Sequence, residues 1–266
     1  MPCSDRGPEP ERGRGMSRQL SKGWLCCSLL LALLVGGTAA AEPLERVRIA
    51  ADHWPEYTEP DGSGLGFDIM REVFAGTGIR VEFEIMPYLR CQGLVKRGEF
   101  DLFMDSYEHE VEGVHYPRWH YDLERVSALG LASRPLPQFE RAEQYLLVWR
   151  RGYSFNKYAP AARNFREIST GESVLKILDR GHADYYISNE EDMDILLRES
   201  RQPQRYRYIT FTHLKLFPAF TDSERGRALA AVYDRRMAEL VRRGTLKRHF
   251  RHWDEPYPFK DGQPQP

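Results

Sequence analysis

The sequence predicts an α/β protein built from two similar lobes with a cleft between them. Two observations carry this. The stretches Arg97-Gly98-Glu99-Phe100-Asp101-Leu102-Phe103-Met104-Asp105 and Arg180-Gly181-His182-Ala183-Asp184-Tyr185-Tyr186-Ile187-Ser188 read almost alike. In each, a helix-like run ends at Arg-Gly, a short turn delivers Asp, and a strand follows. Glycine is favoured just past a helix end because it enters the left-handed region without a Cβ penalty. The second observation is that both strands are unbroken apolar runs, as expected of strands covered on both faces in a parallel α/β sheet. One αβ unit therefore occurs twice, and two such units imply two lobes and a cleft.

The elements follow in order. Val47 to Ala51 reads as a strand opening into the aromatic loop His53-Trp54-Pro55-Glu56-Tyr57 and the turn-rich Asp61-Gly62-Ser63-Gly64-Leu65-Gly66. Asp68 caps or begins a helix to about Thr77, burying Ile69, Met70, Val73 and Phe74. Arg80 to Met86 alternates as a strand. Pro87-Tyr88-Leu89-Arg90 starts a helix ending at Gly98, and Phe100 to Met104 is the first repeated strand. After Tyr107 the pattern is irregular until the strand Val126 to Ala132. Pro135 and Pro137 mark the expected crossing to the second lobe. There, Tyr145 to Trp149 is a strand, Gly171 to Arg180 a helix, and Tyr206 to Thr212 a strand. Phe217-Pro218-Ala219-Phe220 is expected to recross. Glu224 to Arg243 is an amphipathic helix closed by Gly244, with Leu229, Val232, Tyr233, Met237, Leu240 and Val241 on one face. Residues 254–266 read as a flexible tail.

The first 41 residues are expected to be a secretory signal peptide. Arg18 and Lys22 precede the apolar run Trp24 to Val35, which ends in Gly36-Gly37-Thr38-Ala39-Ala40-Ala41, and the run is short for a membrane span. Met16 is a possible true start. Removing this segment takes three of the four cysteines and leaves Cys91, so no internal disulfide is available. The remaining roughly 225 residues suffice for one large or two smaller domains. A net charge of −1 argues against a nucleic-acid partner. The expected location is the periplasm.

At this point the chain resembles the family 3 extracytoplasmic solute-binding proteins, the binding subunits of polar amino acid transporters and their relatives. The carriers are Gly64-Leu65-Gly66-Phe67-Asp68-Ile69-Met70, Pro87-Tyr88-Leu89-Arg90, the two repeated units, Arg151-Gly152-Tyr153, and Leu240-Val241-Arg242-Arg243-Gly244-Thr245-Leu246. The resemblance implies a periplasmic-binding-protein-like (type II) clamp with a two-stranded hinge. Lobe one is then 45–133 plus 220–253, and lobe two 134–219. It further implies a monomer that closes on a small-molecule solute and delivers it to a membrane permease or a sensor protein. No cofactor is implied.

Relatives that bind free α-amino acids use an Arg after the fourth strand for the carboxylate and an Asp after the second Gly-x-x-Asp strand for the ammonium. Here Asp105 to Val114 contains no Arg, and Asn189 stands at the position of the Asp. The expected solute is therefore not an ordinary α-amino acid in the usual pose. Arg90, in the first turn of its helix, is the candidate anion anchor, and it is expected to face Asn189 across the closed cleft. Trp54 and Tyr57 lie where relatives place an aromatic over the ligand. Asp105, Ser106 and Tyr107 follow a lobe-one strand, and Gly152, Tyr153 and Ser154 a lobe-two strand; turn packing is the competing role for the last two.

Other chemistries are weaker. His109, His115 and His120 among Glu108, Glu110 and Glu112 match no zinc spacing, so no metal is expected. Gly62, Gly64 and Gly66 lack the strand-to-helix context of a dinucleotide loop. Cys91 has no His placed beside it, and no catalytic residue is nominated. The chain is read as a binding protein and not an enzyme; the alternatives are a signalling partner that imports nothing, or a dehydratase-type enzyme on the same clamp, for which Asp105 and Glu108 are the only cleft-side acids.

Overall fold

In the computed structural model, residues 44–169 and 171–259 are described; the expected signal peptide and the last seven residues lie outside them. The first αβ units are β1 (Arg46–Ala51), α1 (Leu65–Phe74), β2 (Arg80–Ile85), α2 (Tyr88–Lys96) and β3 (Leu102–Tyr107). The short β4 (Val114–His115) and the long β5 (Asp122–Leu131) follow. Then come β6 (Leu147–Arg150), β7 (Phe165–Ile168), α3 (Val174–Asp179), β8 (Tyr185–Asn189), α4 (Glu190–Glu199), β9 (Tyr206–Thr221), α5 (Glu224–Arg243) and α6 (Lys247–His252).

The strands form one curled path, β2-β1-β3-β9-β5-β8-β6-β7. Its two ends are alike. β2, β1 and β3 run parallel in one lobe, and β8, β6 and β7 run parallel in the other. Between them lies the antiparallel ribbon of β5 and β9, paired from Asp122–Leu216 to Leu131–Tyr206.

This ribbon moves the expected lobe crossings. β5 already pairs with β8 from Val126 onward, so the chain enters lobe two within β5, before Pro135 and Pro137, which mark only the exit from that strand. β9 is likewise one 16-residue strand, which joins the expected strand Tyr206 to Thr212 to the expected recrossing at Phe217–Phe220. It pairs with β5 up to Leu216 and with β3 from there to Phe220. Residues 122–125 and 213–216 are the hinge, and a bulge follows at Val126/Ser127.

The repeated Asp performs the same task in both lobes. Asp101 accepts from the backbone N–H of Arg48 at 2.8 Å, and its own N–H donates to Arg48 O. Asp184 does the same with Leu146, accepting at 2.7 Å. Each also takes an arginine: Arg225 on Asp101 at 2.9 Å and Arg134 on Asp184 at 2.5 Å. Gly98 and Gly181 enter these turns with φ of 73° and 66°, a region a side chain would strain.

The expected tail is packed as far as Phe259. Phe259 is buried and stacks on His120 with ring centroids 4.9 Å apart, and it also meets Trp119. The prolines of this segment bar regular structure, yet its two aromatics find an apolar seat: Tyr257 packs edge-on against Phe250. Cys91 is buried with its thiol pushed up to about 12 by that burial. No described helix is long and apolar enough to cross a membrane.

Candidate functional site

A cavity of about 100 Å³ lies between the lobes, beside the hinge. Four aromatic side chains line it: Trp54, Tyr88, Tyr107 and Tyr153. Six carboxylates join them, Asp52, Asp105, Glu110, Glu124, Glu191 and Asp192, and no lysine or arginine does.

Each element delivers its acid by a local rule. The loop after β1 brings Asp52, whose Oδ2 accepts from the Tyr88 backbone N–H at 3.2 Å at the start of α2. The ladder between β3 and β9 shifts register between Phe103 and Ser106, and Asp105 there takes a left-handed φ of 67°. Its Oδ1 accepts from Tyr121 Oη at 2.6 Å. Glu110 is 4 % exposed; its Oε2 accepts from Tyr88 Oη at 2.6 Å, Ser106 Oγ at 3.0 Å and the Tyr107 N–H at 3.2 Å. Glu124, on the hinge strand, accepts from Tyr107 Oη. Glu191 and Asp192 belong to the first turn of α4, which Asn189 caps by accepting from the Asp192 N–H at 2.8 Å.

Burial governs the ionisation of these groups. It raises Asp105, Glu110 and Glu191 to about 7 and Glu124 to about 8. Hydroxyl and indole donors pull them partly back down, while Asp105 and Asp192 push Glu124 further up. An acid in low dielectric near other acids resists ionising until a positive charge arrives.

The lobes touch on both sides of the cavity. Trp54, stacked on Tyr57 at 4.3 Å, donates its indole N–H to Glu191 of lobe two. Tyr158 Oη donates to Glu108 O at 3.0 Å, and Lys157 donates to Glu110 O. Tyr88 and Tyr153 meet edge to face at 6.3 Å. The clamp is closed.

Among the residues expected at the site, Trp54, Asp105, Tyr107, Tyr153 and Asn189 line this cavity. Ser106 is buried behind it, supporting Glu110. Tyr57 is buried with its hydroxyl on Asp122, and lines a second cavity of about 280 Å³ beyond the Trp54–Glu191 contact. Gly152 meets Leu89 of lobe one, and Ser154, with φ of 50°, starts a short 3₁₀ turn. Arg90 is exposed and lines neither cavity, so it does not face Asn189. The anion anchor is thereby overturned. The helix begins at Tyr88, and two residues on an α-helix are about 200° apart; with Tyr88 turned inward, Arg90 turns out.

Within the irregular stretch after Tyr107, Glu110 is buried. Glu191 and Asp192 were missed together with α4, although Asn189 followed by three acids and then Met193, Leu196 and Leu197 is an N-cap pattern. No group of three or more acids, histidines or cysteines among the described residues can hold a metal ion.

No protein-family model and no curated protein sequence matches the chain. Solved structures do. An ancestral arginine-binding protein bound to arginine is 14 % identical, with a TM-score of 0.61 over 79 % of this chain and 98 % of that one. A histidine kinase sensor domain with similarity to periplasmic binding proteins is 15 % identical, with a TM-score of 0.61 over 78 % and 95 %. A probable amino-acid ABC transporter extracellular-binding protein from Bacillus subtilis is 15 % identical, with a TM-score of 0.57 over 79 % and 98 %. The fold is that of the extracytoplasmic solute-binding proteins, a two-lobed α/β clamp.

Proposed function

We propose that this chain is an extracytoplasmic solute-binding protein whose lobes close on a small organic cation. One observation carries the reading: six carboxylates and no lysine or arginine line the cavity between the lobes. An anionic solute would find no lysine or arginine on this wall to balance its charge, and a buried charge left unpaired is costly. A cation would ionise the raised carboxyls and find aromatic faces beside them. A free α-amino acid would leave its carboxylate without a cationic partner, which argues against the usual amino-acid pose. The ancestral arginine-binding neighbour supports a clamp of this shape holding a positively charged solute.

We further propose that the loaded protein serves a membrane permease or a sensor. The expected periplasmic location belongs to the same proposal.

The test is a thermal-shift and calorimetric screen of the purified protein against amines, amino acids and carboxylates. Amines are expected to raise the melting temperature, since a ligand bound only by the folded state stabilises it by RT ln(1 + [L]/Kd). A shift with organic anions and none with amines would overturn the reading.

A further inference from the structure

The placement of the carboxylates narrows the class of cation; this inference rests on the reading of the cavity as an organic-cation site. Asp105 and Glu110 are held by lobe one, on β3 and the loop after it. Glu191 and Asp192 are held by lobe two, in the first turn of α4. In each, one oxygen is committed to protein donors: Asp105 Oδ1 to Tyr121, Glu110 Oε2 to Tyr88, Glu191 Oε2 to Trp54, and Asp192 Oδ2 to Ser188. The other oxygen of each has no hydrogen-bond donor among the described residues, and none of these free atoms is sealed in the protein interior. Four acceptors are therefore left for a solute, two from each lobe.

The two pairs come from opposite lobes, and no group of three or more described acids, histidines or cysteines can hold a metal ion. One ammonium is a compact point charge with three donors. Placed against Glu110 and Asp105 it would leave the α4 pair uncompensated across the cavity, and the reverse placement would strand the lobe-one pair. Two separated positive centres answer both. A cavity of about 100 Å³ has room for roughly seven water-sized groups, the size of a four- or five-carbon chain with a nitrogen at each end.

We propose that the solute is a short linear α,ω-diamine, one ammonium held by Asp105 and Glu110 and the other by Glu191 and Asp192. Its methylenes pass between the rings of Trp54, Tyr88 and Tyr153. Because the two ends grip different lobes, such a ligand favours the closed clamp by differential contact.

The experiment is calorimetric titration of the purified protein with butylamine, the diamines from propane-1,3-diamine to hexane-1,6-diamine, and succinate. A chain-length optimum at four or five carbons is expected, with affinity tenfold to a hundredfold above butylamine, the increment of one further charge-assisted contact. In Glu191→Gln, which keeps an acceptor for Trp54, the preference for diamine over butylamine is expected to collapse severalfold. Equal affinity for butylamine and every diamine would overturn the two-headed solute while leaving the organic-cation reading intact. Binding of succinate, or of none of the amines, would overturn that reading and this inference with it.

Discussion

A Cβ at Gly152 would stand 2.9 Å from Leu89 Cδ2, across the seam where lobe two closes on lobe one. Gly152 also has a φ of 98°, which an L side chain rarely adopts. A side chain here would be strained by the backbone and would have to displace the exposed Leu89 side chain. Gly152→Ala is expected to weaken solute affinity about tenfold, because the strain and the contact both penalise the binding-competent state. Adding Leu89→Ala should restore part of the loss by removing the contact and none of the strain. Affinity by calorimetry and the radius of gyration by small-angle scattering check this: the single variant should be more expanded at equal ligand.

Arg90→Ala should change solute affinity by less than twofold, since Arg90 is exposed and outside the cavity wall. Tyr88→Phe should cost about threefold to tenfold at pH 7. It removes the strongest donor holding down the Glu110 carboxyl, leaving Ser106 and the Tyr107 N–H. Glu110 then ionises less readily and meets the cation later. A titration of both variants with the same amine separates the two outcomes.

The repeated Asp was legible in the sequence because its work is local: a helix end, a glycine and a turn lie within a few residues of Asp101 and of Asp184. The hinge was placed late because β5 and β9 each run from one lobe into the other within a single strand, and strand pairing at that range leaves no mark on either segment alone. Asp105, Tyr107 and Tyr153 line the cavity from positions just at or past strand ends, and Trp54 and Asn189 from positions that the resemblance singled out. Glu110 was not singled out, since nothing in Glu108-His109-Glu110-Val111-Glu112 distinguishes the one acid that Tyr88 and Ser106 bury. The anion anchor failed on helix phase: the residues of Pro87-Tyr88-Leu89-Arg90 were all read correctly, but which of them faces the cleft is fixed by where the helix starts.

Asp101→Asn tests the structural half of the repeat. Asp101 is 1 % exposed and pairs with Arg225, which joins α5 to the turn before β3. The amide keeps one acceptor and loses the charge, leaving a half-buried guanidinium without its partner. A loss of about 2–3 kcal/mol in urea unfolding is expected, with an unchanged m-value. Asp184→Asn should cost less, because Asp184 and Arg134 are both more exposed and their pair is screened by water.

The cavity acids make both stability and affinity depend on pH, in opposite directions. Asp105, Glu110, Glu124 and Glu191 lie at about 7, 7, 8 and 7 in the folded protein, above ordinary carboxyl values near 4. Between those limits the folded state binds more protons than the unfolded state. Stability therefore falls as pH rises, and the contribution of these groups is fully present below about pH 4 and lost through pH 7–8. The ligand-free protein should melt at a lower temperature at pH 8.5 than at pH 5.5. A cationic solute needs the ionised carboxylates, so its affinity should rise by at least tenfold from pH 6 to pH 8, with protons released on binding. The release is read from calorimetry at pH 6.5 in buffers of different ionisation enthalpy. Glu110→Gln, which has no proton to give, should reduce the number released; an unchanged number would place the titration on other groups.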